Sequence, residues 1–154
     1  MAPHPLIGQM APSNFTLQNQ NNEPINLADL VGQSPVVLFF YPQDGTSKCT
    51  EEVCAFRDQY QAFTKKDVQV IGISRDSVES HATFASSHSL QFHILSDEKD
   101  EVKEAYKVPK TALGLLPGRS TFIINREGVV VEHFSSLLDI NGHVKTALKL
   151  VESL

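Results

Sequence analysis

The chain has 154 residues, of which 41% are hydrophobic and 20% are charged, and its net charge is −5. This composition is typical of one compact globular domain over residues 1–154 and excludes a disordered or fibrous chain. Because no basic run occurs, nucleic acid is not an expected partner. The longest strongly apolar stretch, residues 35–41, is far shorter than the ~20 residues that span a bilayer, so no membrane partner is expected either.

The first fifteen residues contain neither a basic region nor a sustained apolar run. A secretory signal is therefore not predicted, and a cytoplasmic location is the default expectation. A nuclear location, or an organellar one after removal of a transit peptide, stays open.

Hydrophobic periodicity predicts short strands that alternate with helices along the chain. The predicted strands cover residues 15–17, 24–27, 36–41, 68–74, 92–97, 121–125 and 129–134. The predicted helices cover residues 49–63, 77–88, 99–106 and 141–153. Right-handed crossovers make the strands that alternate with helices parallel, and the last two strands form an antiparallel hairpin. The predicted fold class is α/β: a thioredoxin-like three-layer α/β/α arrangement with a mixed central sheet and an N-terminal β-hairpin extension.

Both cysteines of the chain, Cys49 and Cys54, lie where an apolar strand gives way to a helix. In open α/β sheets this edge, beyond the carboxyl ends of the strands, holds the working site. A cysteine in the first helical turn is favoured as the thiolate by the free N–H groups and the helix dipole, and Lys48 precedes Cys49 directly. Cys54 gains little from the dipole, so we expect it to be a protonated, partly buried thiol.

The spacing of the two cysteines limits how they can react with each other. Five residues of ideal helix separate their Cα atoms by ~8.7 Å. A disulfide requires a separation of ~4.4–6.8 Å. A bond between Cys49 and Cys54 therefore requires the start of the helix to unwind, which couples the oxidised state to a local loss of order.

Several cysteine chemistries do not fit this spacing. A zinc site requires four ligands, and the chain has two cysteines and scattered histidines. A thioredoxin-type redox motif has a gap of two residues rather than four. A phosphatase loop is excluded because no arginine follows either cysteine at the required distance. Peroxide reduction remains, in which one thiolate attacks an O–O bond and a second thiol condenses with the sulfenic acid. Two inert core thiols are the alternative.

Two segments of the chain resemble a known family. YPQDGTSKCTEEVCAFRD (residues 41–58) is similar to the signature of the peroxiredoxin Q group, also called bacterioferritin comigratory protein. PGRSTFIINREG (residues 117–128) is similar to the arginine-bearing strand of the same family. Relatives commonly have Pro-Gly before the attacking cysteine, whereas this chain has Ser47 and Lys48.

The resemblance implies roles for five residues. These are a peroxidatic cysteine, a resolving cysteine, two polar partners of the peroxide and a proline that shields the sulfur: Cys49, Cys54, Thr46, Arg119 and Pro42. Fixed donors at the peroxide oxygens are needed because a lowered thiol pKa alone raises the thiolate fraction only some 30-fold. Taken alone, Thr46 is also a plausible helix N-cap, Arg119 a partner of a surface carboxylate and Pro42 a strand terminator.

The function predicted is that of an atypical two-cysteine peroxiredoxin, reducing hydrogen peroxide or alkyl hydroperoxides through an intramolecular disulfide. The resemblance implies thioredoxin or a similar dithiol protein as reductant and no metal, haem or flavin as cofactor. An internal disulfide removes one need for a partner subunit, so a monomer is favoured. A thiol–disulfide oxidoreductase and a redox-sensing binding module are the alternatives.

A few further residues have two interpretations each. Glu52 either hydrogen-bonds near Arg119 or is a first-turn acid that interacts favourably with the helix dipole. The six histidines, including His81 and His88, show no metal-ligand spacing and are expected to be solvated. Three leucines form either a lip for organic hydroperoxides or, as we favour, a core cover: Leu113, Leu115 and Leu116.

Overall fold

The computed structural model describes residues 3–110 and 118–154. A small antiparallel hairpin precedes the main sheet and consists of β1 (Thr16–Gln18) and β2 (Pro24–Asn26). The main sheet contains β3 (Val36–Phe40), β4 (Gln69–Ser74), β5 (His93–Ser96), β6 (Ser120–Ile124) and β7 (Val130–Ser135). Each strand lies within one or two residues of its predicted position.

Five α-helices accompany the sheet within the described residues. They are α1 (Ser47–Asp58), α2 (Tyr60–Thr64), α3 (Val78–His88), α4 (Glu101–Ala105) and α5 (Ile140–Val151). The single helix predicted over residues 49–63 is wrong, because the backbone leaves helical geometry at Gln59, with φ −100° and ψ 8°. Periodicity does not detect this break, because Phe56 and Phe63 are buried on both sides of it.

The strand order of the main sheet is β5-β4-β3-β6-β7. β3 is parallel to β4, and β4 is parallel to β5. β6 is antiparallel to both of its neighbours, β3 and β7. The mixed sheet is therefore as predicted. Phe40 pairs with Ser120, so the start of β6 lies beside the end of β3, close to the loop that leads into α1.

The sheet is covered on both faces, and β3 shows this most directly. Its side chains alternate between two buried clusters, with Val37 and Phe39 in one and Val36, Leu38 and Phe40 in the other. The first cluster includes side chains of α1, α3 and α5. The second includes side chains of α4 and of the N-terminal segment. This is the thioredoxin-like three-layer arrangement that the sequence predicted.

Among the helices of residues 3–110 and 118–154, none combines the length and the apolar character that crossing a membrane requires.

Candidate active site

The thiol of Cys49 lies next to a buried cation. Cys49 is in the first turn of α1 and its side chain is 1% exposed. The Nη2 atom of Arg119 lies 3.4 Å from the Cys49 sulfur and donates to it. Arg119 directly precedes β6, so the pairing of β6 with β3 brings it to the start of α1. The Cys49 sulfur, the Arg119 cation and the helix N-terminus therefore lie together at the start of α1.

The guanidinium of Arg119 is fixed by two further contacts. Its Nη1 donates to Oε1 of Glu52 at 2.6 Å, and its Nε donates to the carbonyl of Leu137 at 3.2 Å. Because Arg119 is only 2% exposed, these bonds hold its planar guanidinium group in one orientation. Arg119 therefore bridges the thiol and a carboxylate rather than pairing with a surface acid.

Glu52 is the buried carboxylate of the site and is fully enclosed. Its Oε2 has no hydrogen-bond partner among the described residues, and it lies 3.6 Å from Nδ1 of His143. Burial raises the pKa of Glu52 to about 7, an effect that the charge and hydrogen bond of Arg119 only partly offset. Of the two interpretations of Glu52, the contact with Arg119 is correct.

His143 belongs to the site and was missed by the sequence analysis. It is fully buried on α5, where Nε2 lies 2.8 Å from the carbonyl of Ser136 and Nδ1 lies 2.8 Å from the hydroxyl of Thr121. Nε2 therefore donates and Nδ1 accepts in a neutral ring. Burial lowers the pKa of His143 to about 4. The available signal was its place on the apolar stripe of α5, three residues after the buried Ile140 and one before Val144.

Cys54 occupies a separate environment on the same helix. Both cysteines are free thiols, and Cys54 is partly buried as predicted. Its sulfur lies 3.6 Å from Nδ1 of His88 on α3. The expectation that His88 is solvated is wrong, since it is half-buried against α1.

The loop between β3 and α1 is anchored through Asp44. The hydroxyls of Tyr41 and Ser80 donate to its carboxylate at 2.6 and 2.8 Å. Its own backbone N–H donates to Oδ2 of Asp76 at 2.8 Å. These bonds tie the loop to the ends of β3 and β4 and to α3, so the chain enters α1 from a fixed point.

His81 completes this anchor and is fully buried rather than solvated, which corrects the sequence-based expectation. Its Nδ1 lies 2.6 Å from Oδ2 of Asp44 and its Nε2 lies 3.1 Å from the carbonyl of Leu95. Ligand atoms of Asp44, Asp76 and His81 lie within 4.8 Å of one another. Because protein hydrogen bonds already engage all three side chains, the cluster serves as a polar anchor for the loop.

The sequence and the fold match known proteins. Residues 7–133 match the model of the AhpC/TSA family. The chain is 43% identical over 143 residues to the chloroplastic peroxiredoxin Q of Sedum lineare, covering 93% of this chain and 76% of that protein. The chain belongs to the AhpC/TSA family, within the peroxiredoxin Q group.

Solved structures of peroxiredoxins agree with this assignment. Peroxidoxin BcpB from Mycobacterium tuberculosis has a TM-score of 0.86 and 34% identity, over 96% of this chain and 97% of that one. A peroxiredoxin Q of Xanthomonas campestris has a TM-score of 0.84 and 28% identity, over 93% and 92% of the two chains. The chain spans 65% to 76% of the length of its plant relatives.

A peroxiredoxin is an enzyme that reduces a peroxide with a thiol, so the chain is a thiol-dependent peroxidase. Its substrate is a peroxide and its reductant supplies thiol electrons. The comparisons do not favour the thiol–disulfide oxidoreductase or the binding module.

Thr46 and Pro42 lie at the two ends of the peroxiredoxin loop before α1. Thr46 is the N-cap residue of α1, but its side chain makes no capping bond and donates to the carbonyl of Gln43 at 3.1 Å. Its side chain is exposed. Pro42 is half-buried and lines a small cavity beside Gly118. Leu113, Leu115 and Leu116 lie outside the described residues, so the lip or core cover stays a prediction.

The pH dependence of the unfolding free energy is expected to show that the pKa of Glu52 is raised in the folded protein. Folding raises the pKa of Glu52 from 4.5 to about 7, so between these values the folded protein binds more protons and the Glu52 contribution to stability falls as pH rises. His143 and His133, whose pKa values burial lowers to about 4, act in the opposite sense. We therefore compare the wild type with Glu52→Gln, which retains both histidines.

As the pH rises from about 4.5 to about 7, the unfolding free energy of the wild type is expected to fall by about 1–3 kcal/mol relative to that of Glu52→Gln. Urea denaturation at several pH values measures it. A difference that stays constant over this range would mean that Glu52 titrates alike in the folded and unfolded chain.

Proposed function

We propose that Cys49 is the peroxidatic cysteine of this chain and Cys54 its resolving cysteine. The observation that supports this most is the contact between the Cys49 sulfur and Arg119, which no inert core thiol needs. Cys49 attacks the terminal peroxide oxygen, the O–O bond breaks, and the products are a Cys49 sulfenic acid and water or an alcohol.

Fixed donors account for the speed of such a step. The N–H of Cys49 lies before the first hydrogen bond within α1, which runs from Thr50 N–H to the Thr46 carbonyl at 2.9 Å. In this proposal that N–H, the Arg119 guanidinium and the Thr46 hydroxyl hold the peroxide oxygens as charge moves onto the leaving oxygen. Pro42 shields the sulfur from water.

Cys54 then condenses with the sulfenic acid to give the Cys49–Cys54 disulfide and water. Both residues lie in α1, and ideal helix geometry separates their Cα atoms by ~8.7 Å. The first turn of α1 is the part free to unwind, because Ser47 and Lys48 are exposed and Thr46 makes no capping bond with its side chain. The second half of α1 is held in place by Val53 and Phe56, which are buried in the core.

The remaining predictions concern partners, assembly and location. In this proposal thioredoxin or a similar dithiol protein reduces the disulfide, and no metal, haem or flavin takes part. Hydrogen peroxide and alkyl hydroperoxides are both substrates. Residues 1–154 act as one domain and one monomer, since a disulfide within α1 requires no second chain. We propose a cytoplasmic location; the printed names of the plant relatives make a chloroplast the other candidate.

The test is peroxide consumption with thioredoxin, thioredoxin reductase and NADPH, on the wild type and Cys54→Ser. The wild type is expected to turn over and to yield a Cys49–Cys54 disulfide that peptide mass spectrometry identifies. Cys54→Ser is expected to consume about one equivalent of peroxide and then stall as a sulfenic acid that a dimedone probe traps. Steady turnover by Cys54→Ser would contradict the resolving role.

A further inference from the structure

The contact between Cys54 and His88 has no part in the activation of Cys49. The Cys54 sulfur lies 3.6 Å from Nδ1 of His88, and both side chains are half-buried where α1 packs beside the end of α3. Imidazole is the side chain best suited to take a proton near neutral pH, and a thiol becomes a nucleophile only when it loses one. A base at this position is useful to the second thiol of a peroxidase, not to the first.

The imidazole is held in place from several sides. The ring of Phe84, one turn earlier on α3, packs edge-on against it at 5.0 Å between centroids. The carbonyl of His88 accepts a hydrogen bond from Nη1 of Arg57 at 2.9 Å. Directly after His88 the chain leaves the helix at Ser89, in the left-handed region with φ 53°. The orientation of Nδ1 toward Cys54 is therefore a feature of how α1 and α3 pack.

We propose that His88 is the general base of the resolving step, an inference that rests on the proposed roles of Cys49 and Cys54. Nδ1 of His88 takes the proton of the Cys54 thiol. The thiolate of Cys54 attacks the sulfur of the Cys49 sulfenic acid, the S–S bond forms and the S–O bond breaks. The leaving hydroxide takes up a proton and departs as water, so the thiol sulfur is oxidised and the sulfenic sulfur is reduced.

The anchoring of α1 decides which cysteine moves. The half of α1 that holds Cys54 is fixed by the buried Phe56 and by the Arg57 bond to α3. The first turn of α1 contains the exposed Ser47 and Lys48, and in this proposal it is the part of the helix that unwinds. Cys49 therefore travels to Cys54, and Cys54 keeps its base at the moment of attack.

Charged and titratable groups of α1 and of the loop before it lie near the imidazole of His88. Arg57 of α1 is paired with the neighbouring Asp58 at 2.9 Å, and Asp44 lines the same groove as His88. Cys54 is the titratable group in direct contact. An imidazole that already carries a proton cannot accept one from Cys54, so this proposal predicts that the resolving step slows in acid.

The experiment follows disulfide formation after a single equivalent of peroxide, by rapid acid quench and mass spectrometry. Cys49 oxidation is measured in the same samples. For His88→Ala we expect Cys49 oxidation at the wild-type rate and disulfide formation about 100-fold slower. His88→Gln, which keeps a polar helix-forming side chain without an imidazole, is expected to be slow as well. The acid limb of the rate profile is expected to move to higher pH in both.

Added imidazole distinguishes a base from a packing residue. The groove lined by Phe84, Ser87 and His88 has a volume of about 420 Å³ and opens to solvent, so it admits a free imidazole molecule when the side chain is removed. Imidazole is expected to accelerate disulfide formation in His88→Ala. The matched control is His93→Ala, at the start of β5, where Nδ1 of His93 lies 3.1 Å from Nδ2 of Asn19. This variant should form the disulfide at the wild-type rate and not respond to imidazole.

Two failures can be told apart. If peroxide does not oxidise Cys49 of the wild type, the proposed function fails. If Cys49 oxidises normally but His88→Ala and His88→Gln form the disulfide at the wild-type rate, or if imidazole restores nothing, the role of His88 is overturned and the proposed function stands.

Discussion

Replacing Cys49 by serine is expected to abolish peroxide reduction while leaving the protein folded. A serine hydroxyl stays protonated at neutral pH and is a poor nucleophile, so the rate of peroxide reduction should fall by more than about 1000-fold. The volume change is small at this enclosed position, which is 1% exposed. Arg119 keeps its bond to Glu52, so the loss in unfolding free energy should be about 1 kcal/mol or less.

The measurement for Cys49→Ser is peroxide consumption under single-turnover conditions, together with urea denaturation. Cys54→Ser is the matched control, because it removes the other thiol of the same helix and is expected to retain the first step. If Cys49→Ser consumed peroxide at more than about a tenth of the Cys54→Ser rate, another group would have to be the nucleophile.

Replacing Arg119 by methionine is expected to damage both catalysis and stability. Loss of the guanidinium removes a fixed cation at the sulfur, and Cys49 oxidation should slow by about 100- to 1000-fold. The same change leaves the carboxylate of Glu52 buried without its partner, which should lower the unfolding free energy by about 3–5 kcal/mol. The two losses have different causes and can therefore be separated.

The double variant Glu52→Gln with Arg119→Met separates them, because it removes both buried charges. Most of the stability should return, since no uncompensated charge remains, whereas Cys49 oxidation should stay slow. Arg126→Met is the control: Arg126 is exposed in the β6–β7 hairpin and its pair with Asp67 spans 3.9 Å. Recovery of the oxidation rate in the double variant would show that Arg119 acts through stability alone.

The fold could be predicted from the sequence to a large extent because its signals are local and periodic. The continuous apolar run of β3, the alternation around β6 and β7, and the strand-to-helix step before Cys49 are each visible in a window of a few residues. The break at Gln59 leaves no such signal, because α2 continues the apolar face of α1 after one residue of different backbone geometry.

The site could be predicted only in part. Cysteine spacing and a family-like motif singled out Cys49, Cys54 and Arg119, of which the structure brings Cys49 and Arg119 together. The burial of His81 and His143 was not, because their partners lie far along the chain: 37 residues separate His81 from Asp44, and 22 separate His143 from Thr121. Such contacts exist only after the helices pack on the sheet, and a polar residue gives no periodic signal of its own.

The place of β6 in the sheet has a consequence for how the enzyme is made. Arg119 lies 70 residues after Cys49, and β6 inserts between β3 and β7 rather than at an edge. During synthesis the ribosome releases the thiol long before it releases the strand that brings the cation. A growing chain in which β6 has not yet paired with β3 therefore lacks the cation beside the Cys49 sulfur, and this contact forms only after β6 joins the sheet.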